Sequence, residues 1–169
     1  MNLLFICTGN TCRSPMAQWL ARHEIAKRGL HHTVRSAGLY AFPGQLMSRS
    51  AVDALLRRQV VVGHHASQPV EDAMVKEADL IFTMTEAHKQ AMLEKFPDAA
   101  EKTYTLSEFV KKVDRDGSGY DIVDPFGQCD EAYEACAAQL EELIREMIRL
   151  LPQSSEEGGE DGKNAANRE

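Results

Sequence analysis

The chain has no apolar run near the roughly 20 residues that a membrane-spanning helix requires. The opening residues Met1 to Ile6 are too short for the core of a secretion signal and lead straight into a polar motif, so a cytoplasmic setting is expected. Cysteine is sparse. The four thiols, Cys7, Cys12, Cys129 and Cys136, lack both the density of a disulfide scaffold and the paired spacing of a zinc site, so neither metal nor other cofactor is expected. A basic excess is also missing. The net charge is −7, which argues against a nucleic-acid partner, because phosphate backbones are held by basic patches. Aromatic residues make up only 7% of the chain, but 43% is hydrophobic, enough for one buried core in 169 residues.

What is present has a clear order. Residues 2–6 (NLLFI) read as a short strand buried on both faces. Residues 7–13 are polar and contain a glycine, as a loop would. Ser14-Pro15 then reads as a cap and a first-turn proline, with Met16, Trp19, Leu20, His23 and Ala26 at helical spacing up to Gly29. Further strands are expected at 33–37, 79–84 and 103–106. Helices are expected from Ser48 or Ser50 to Arg58 (Val52, Leu55 and Leu56 inward), over 70–77, from Thr85 to about Lys95, and over 130–151. Residues 114–120, with two glycines, read as a surface loop. Alternating strands and helices predict an α/β fold of three layers, α/β/α, around a parallel sheet. Ligands in such sheets bind beyond the carboxyl ends of the strands, where the loop at Cys7 falls. After Pro152 the only apolar residues are two alanines, so 152–169 is expected to be a disordered acidic tail on a domain of residues 1–151.

The informative string is Cys7-Thr8-Gly9-Asn10-Thr11-Cys12-Arg13-Ser14: a cysteine, five residues, then an arginine. Successive backbone N–H groups closing onto a helix start form a nest for a tetrahedral oxyanion. Arg13 offers a planar cationic fork to the same anion. These groups are expected to lower the pKa of the Cys7 thiol and make it a nucleophile. Gly9 is expected to permit the turn, and Ser14 to donate its hydroxyl to the sulfur. A buried, inert cysteine would leave the arginine and the helix start unexplained.

The string CTGNTCRSP, the segment Ser36-Ala37-Gly38 and the segment Asp124-Pro125-Phe126-Gly127 resemble, in order, the low-molecular-weight protein tyrosine phosphatase family, over about residues 1–151. The resemblance implies a four-stranded parallel sheet with the oxyanion loop after its first strand. It implies Cys7 as the nucleophile forming a phosphocysteine, Arg13 as phosphate and transition-state ligand, and Asp124 as general acid and then base. Thr8, Gly9, Asn10, Thr11, Cys12 and Ser14 would surround the substrate, with Tyr40 and Phe126 as walls and Phe42 as a further candidate. Asn10, Ser14, Ser36 and His65, rather than His64, would hold the loop in shape. Phosphorylated proteins would be the substrates; nothing in the sequence specifies the oligomeric state.

Thr11 carries the substrate reading. In the tyrosine-directed branch this position resembles isoleucine, and in the protein arginine phosphatase branch it resembles threonine, as here. A small hydroxyl suits a polar guanidinium, whose donors an apolar wall would leave unpaired. Phosphoarginine on proteins is therefore expected ahead of phosphotyrosine. A thiol-linked arsenate reductase is the next alternative, but Cys129 and Cys136 lie seven apart on an expected helix, about 10 Å, beyond disulfide reach. A phosphate-binding module without catalysis would not need Cys7, Arg13 and Asp124 together. Cys12, five residues from Cys7, either packs beneath the loop or bridges Cys7 under oxidation, which would make the enzyme redox-sensitive.

Overall fold

The structure is a computed structural model, which describes residues 1–111 and 120–153. Most of the loop expected at 114–120 and the segment beyond Gln153 lie outside those residues. Four parallel strands, β1 (Asn2–Cys7), β2 (Thr33–Gly38), β3 (Leu80–Thr83) and β4 (Thr103–Thr105), form one sheet in the order β2-β1-β3-β4. The helices are α1 (Arg13–Lys27), α2 (Arg49–Arg57), α3 (Asp72–Glu77), α4 (Glu86–Lys95), α5 (Leu106–Phe109) and α6 (Asp130–Leu150).

β1 explains the layering. Its side chains alternate between the two faces of the sheet, and both faces are buried. Leu3, Phe5 and Cys7 join one apolar cluster with α1, α2 and α6, while Leu4 and Ile6 join another with α3 and α4. The expected three layers are present. Because β2 and β3 flank β1 on opposite sides, the chain leaves the carboxyl end of β1 where the strand order reverses, the place such sheets keep for ligands.

Several local expectations change. α1 begins at Arg13 with Cys12 as its cap residue, and no side chain caps it. Ser14 is free of that duty because its hydroxyl is engaged by Cys7. Pro15 still lies in the first turn, where its missing N–H costs nothing. The buried side of α1 is Met16, Ala17, Leu20, Ala21, Glu24 and Ile25, whereas His23 and Ala26 are exposed and Trp19 is half-buried. The helix is wedged against both the sheet and α6, so its buried surface is broader than one stripe and shifted from the expected one. In α2, Ala51, Ala54 and Leu55 are buried and Leu56 faces outward.

Thr85 caps α4 as expected, its Oγ1 accepting the His88 N–H at 3.0 Å. Pro97 ends α4 and opens a 3-10 turn, Pro97–Lys102. The fourth strand stops at Thr105, which starts α5 through a reciprocal capping box with Glu108. Along α6, expected over 130–151, the residues Tyr133, Cys136, Ala137, Leu140, Leu143, Ile144 and Met147 form a buried row at helical spacing. No helix among the described residues is long and apolar enough to cross a membrane.

Candidate active site

The loop after β1 is built around Asn10. This residue is fully buried and adopts a left-handed backbone with φ 57°, a conformation asparagine tolerates better than most residues. The turn therefore depends on Asn10. Gly9, expected to supply it, does not have a positive φ, and a methyl group there would meet only the Thr11 hydroxyl, at 4.0 Å. Glycine is required instead at Gly38, which pairs with Cys7 in the sheet register. A Cβ on Gly38 would lie 2.5 Å from the Thr8 carbonyl oxygen and 3.0 Å from the Asn10 nitrogen.

Every polar group of the Asn10 side chain has a partner. Nδ2 donates to Ser14 Oγ at 2.9 Å and to Ser36 Oγ at 3.0 Å, and Oδ1 accepts the Gln68 N–H at 3.1 Å. The Ser36 hydroxyl in turn donates to Gln18 Oε1 at 2.6 Å. His65 Nε2 donates to the Asn10 carbonyl at 2.8 Å, and burial holds the His65 pKa below its ordinary value. The shell expected from Asn10, Ser14, Ser36 and His65 is thus one connected network. Gln18 and Gln68 complete it, and sequence reading missed both. Gln18 lies one helical turn after Ser14, which was the available signal; Gln68 had none.

The network orients the sulfur. Ser14 Oγ accepts from Asn10, so its own proton is left for Cys7 Sγ, 2.8 Å away. The Asn10 N–H also points at Sγ, at 3.3 Å. Cys7 is nevertheless buried, and that burial pushes its thiol above the ordinary value. The Ser14 hydroxyl, the backbone of Ser14 and Asn10, and the Arg13 charge all pull it down. The sequence-based expectation of a lowered pKa named the right groups but omitted desolvation, which here outweighs them.

Arg13 is buried beside the loop. Its Nη1 donates to the Ile122 carbonyl at 3.0 Å, and its Nη2 lies 3.3 Å from Asp124 Oδ2. The Asp124 segment is fastened by the Ile122 N–H to the Met84 carbonyl, 3.0 Å, just past β3. Asp124 Oδ1 accepts the Phe126 N–H at 3.2 Å, closing a turn of the kind an Asp-Pro pair favours. The Asp124 side chain remains half exposed.

These elements enclose a cavity of about 220 Å³ lined by residues 7–13, Gln45, Asp124 and Phe126. Thr8, Gly9, Asn10, Thr11 and Cys12 are on its wall. Ser14 stands behind the sulfur, and Tyr40 lies outside the lining with its ring exposed. The Tyr40 backbone does contribute, its N–H donating to the Thr8 carbonyl at 3.0 Å. Phe42 is likewise exposed. Gln45 was missed. Cys12 packs against Tyr133, whose hydroxyl is 3.5 Å from Sγ and accepts from Ser48 at 3.3 Å. Cys136 is buried, its pKa pushed up to about 12, mainly by burial, whereas Cys129 is exposed. The two thiols of the reductase alternative thus sit in opposite environments.

A sulfur at the carboxyl end of β1, ringed by donors and faced by an arginine and a carboxyl group, suits phosphoryl transfer. The model of the family described as low molecular weight phosphotyrosine protein phosphatase matches residues 2–157. The chain belongs to this family. Among the members, the protein-arginine-phosphatase of Bacillus subtilis (strain 168) is 38% identical over 151 residues, 89% of this chain and 97% of that protein. The low molecular weight protein-tyrosine-phosphatase PtpB of Staphylococcus haemolyticus is 35% identical over 148 residues, 85% of this chain and 95% of that protein. In structure, the arginine phosphatase YwlE from Geobacillus stearothermophilus superposes with a TM-score of 0.79 at 37% identity, covering 88% of this chain and 90% of that one. A low molecular weight protein tyrosine phosphatase from T. tengcongensis superposes with a TM-score of 0.83 at 34% identity, covering 89% of this chain and 99% of that one. The oxyanion loop, the parallel sheet and the order of the segments are the family's.

Proposed function

We propose that this chain is a protein arginine phosphatase, and that it hydrolyses phosphoarginine on proteins through a phosphocysteine intermediate. The observation that carries the substrate choice is Thr11 on the cavity wall, in a pocket where Asp124 is the carboxyl group that faces a guanidinium. Two relatives named protein-arginine-phosphatase, each 38% identical, support the same choice.

In this reading the loop amides and Arg13 hold the phosphoryl oxygens. Deprotonated Cys7 Sγ attacks phosphorus in line with the leaving nitrogen; the S–P bond forms as the P–N bond breaks, and Asp124 gives its proton to that nitrogen. Asp124, now ionised, takes a proton from water. The water oxygen attacks phosphorus, the S–P bond breaks, and phosphate leaves with the sulfur again an anion. Ser14 Oγ, the nearest donor to Sγ, stabilises that anion in both steps. Residues 1–151 are the catalytic domain. The cytoplasm, where phosphorylated proteins are met, is its setting.

Hydrolysis of phosphotyrosine is the second reading. Phe126 favours it, since its exposed ring at the cavity wall offers a face to an aromatic substrate. The deciding measurement is kcat/KM on phosphoarginine and phosphotyrosine peptides for wild type and Thr11→Ile. Wild type should prefer phosphoarginine and the variant should move toward phosphotyrosine. A wild-type preference for phosphotyrosine, or a ratio untouched by the substitution, rejects the arginine reading.

A further inference from the structure

The start of α4 packs behind the oxyanion loop and brings one histidine that the reaction above leaves without a task. His88 is only 7% exposed. Its Nε2 lies 2.8 Å from Thr8 Oγ1, while its Nδ1 is buried with no hydrogen-bond partner. Thr8 follows the candidate nucleophile and lines the cavity.

A neutral imidazole has one donor and one acceptor nitrogen, and the partners decide which is which. With the proton on Nδ1, a buried N–H would have nowhere to go. With it on Nε2, only a lone pair is left unpaired, the milder of the two defects. A hydroxyl that accepts from the imidazole keeps its own hydrogen free to rotate toward another acceptor. We propose that His88 donates from Nε2 to Thr8 Oγ1, and that Thr8 in turn presents its hydroxyl proton to a phosphoryl oxygen in the cavity. Thr8 is then a side-chain ligand for phosphate, and His88 is the positioning residue that makes it a donor. This inference rests on the phosphatase reading.

The surroundings keep the imidazole neutral. Burial first, and then the charge of Arg13 on α1, lower the His88 pKa to about 4, against the opposing pull of Asp121 and Asp124 from the segment ahead of α6. On its own helix the neighbouring charges, Glu86 and Lys89, are engaged elsewhere: Glu86 Oε1 accepts from Gln90, and Lys89 pairs with Glu108. The His88 backbone is held at the helix start, where its N–H donates to Thr85 Oγ1. The same turn also reaches the Asp124 segment, because the Glu86 N–H donates to Asp121 Oδ1 at 2.8 Å. One helix start thereby holds both halves of the site.

The test is the binding of inorganic phosphate by calorimetry, with hydrolysis of p-nitrophenyl phosphate in parallel. The proteins are wild type, Thr8→Val, His88→Ala, His88→Gln and the Thr8→Val/His88→Ala pair, with thermal unfolding as a check on each fold. Thr8→Val and His88→Ala should each weaken phosphate about tenfold, as expected for one hydrogen bond to a charged group. The double variant should be no weaker than Thr8→Val alone, because both changes remove the same donor. His88→Gln, whose amide N–H can take the place of Nε2–H, should recover most of the affinity. Multiplying losses in the double variant, a folded His88→Gln without recovery, or phosphate affinity unmoved by Thr8→Val would each overturn the proposal. Absence of Cys7-dependent hydrolysis in wild type would instead sink the phosphatase reading, and phosphate binding would still judge the Thr8–His88 pair.

Discussion

The two halves of the site are built differently. Around the sulfur, residues 7–14 are held by side chains that are themselves buried, and Asn10 alone spends three side-chain hydrogen bonds on the task. The carboxyl-bearing half, residues 120–129, lies against solvent. Val123 and Phe126 are each 70% exposed, and among residues 121–129 only Ile122 and Pro125 are buried. The anion-binding half is preorganised, which is where electrostatic stabilisation of a transition state is most effective. The proton-donating half is free to meet substrates of different shape. Affinity for phosphate and choice of leaving group are thus assigned to separate pieces of chain.

The comparison can be broken at its exposed end first. Asp124→Asn should lower kcat on phosphoarginine peptides by about 10²–10⁴-fold, with a much smaller loss on p-nitrophenyl phosphate, whose leaving group needs no proton. Equal losses on both would show that Asp124 acts through Arg13 and not on the leaving atom. At the buried end, Asn10→Ala should destabilise the fold by about 4 kcal/mol, since it orphans several buried groups and loses a residue suited to a left-handed backbone. Differential scanning calorimetry should show the melting temperature fall by about 10 °C, whereas Asp124→Asn should leave it nearly unchanged.

Acid should find a weak point between the halves. The folded pKa of His88, about 4, lies below its ordinary 6.5, so the unfolded chain binds the extra proton more readily. The stability this brings is full above about pH 6.5 and is lost as pH falls toward 4, by up to about 3 kcal/mol. Urea unfolding across that range should show the loss, reduced in His88→Gln. The smallest effect belongs to Ser14. Alkylation of Cys7 by iodoacetamide should quicken as pH rises, because burial favours the thiol. Ser14→Ala removes a lowering influence, so its profile should shift further toward alkali, with a rate at neutral pH lower by about tenfold. An unchanged profile would mean that the hydroxyl does not donate to the sulfur.

Continuous stretches of the chain were the most legible. The run from β1 through the loop to α1 could be read because its signals are adjacent: an apolar strand, a polar loop with cysteine and arginine, a proline in a first helical turn. Asp124, Ser36 and His65 came only through resemblance, since nothing in their own neighbourhoods requires them to meet Cys7. Gln18, Gln45, Gln68 and His88 were not seen. Gln68 and His88 reach the loop through sheet register and helix packing, which link residues more than 50 positions apart. The stripe on α1 was misplaced because periodicity assumes one buried side, and this helix is covered on more than one. The pKa of Cys7 was misjudged because a motif shows which groups surround a thiol and not how deeply the fold encloses it.

Gly38 has a consequence for anyone who would redesign this enzyme. It ends the strand beside the nucleophile, and the space a methyl group would need is already filled by the backbone of Thr8 and Asn10. No new contact to substrate can be grafted from that strand end without pushing the sulfur's own loop aside. Changes of selectivity have to enter through the rims, at Gln45 or Phe126, where added bulk displaces only water.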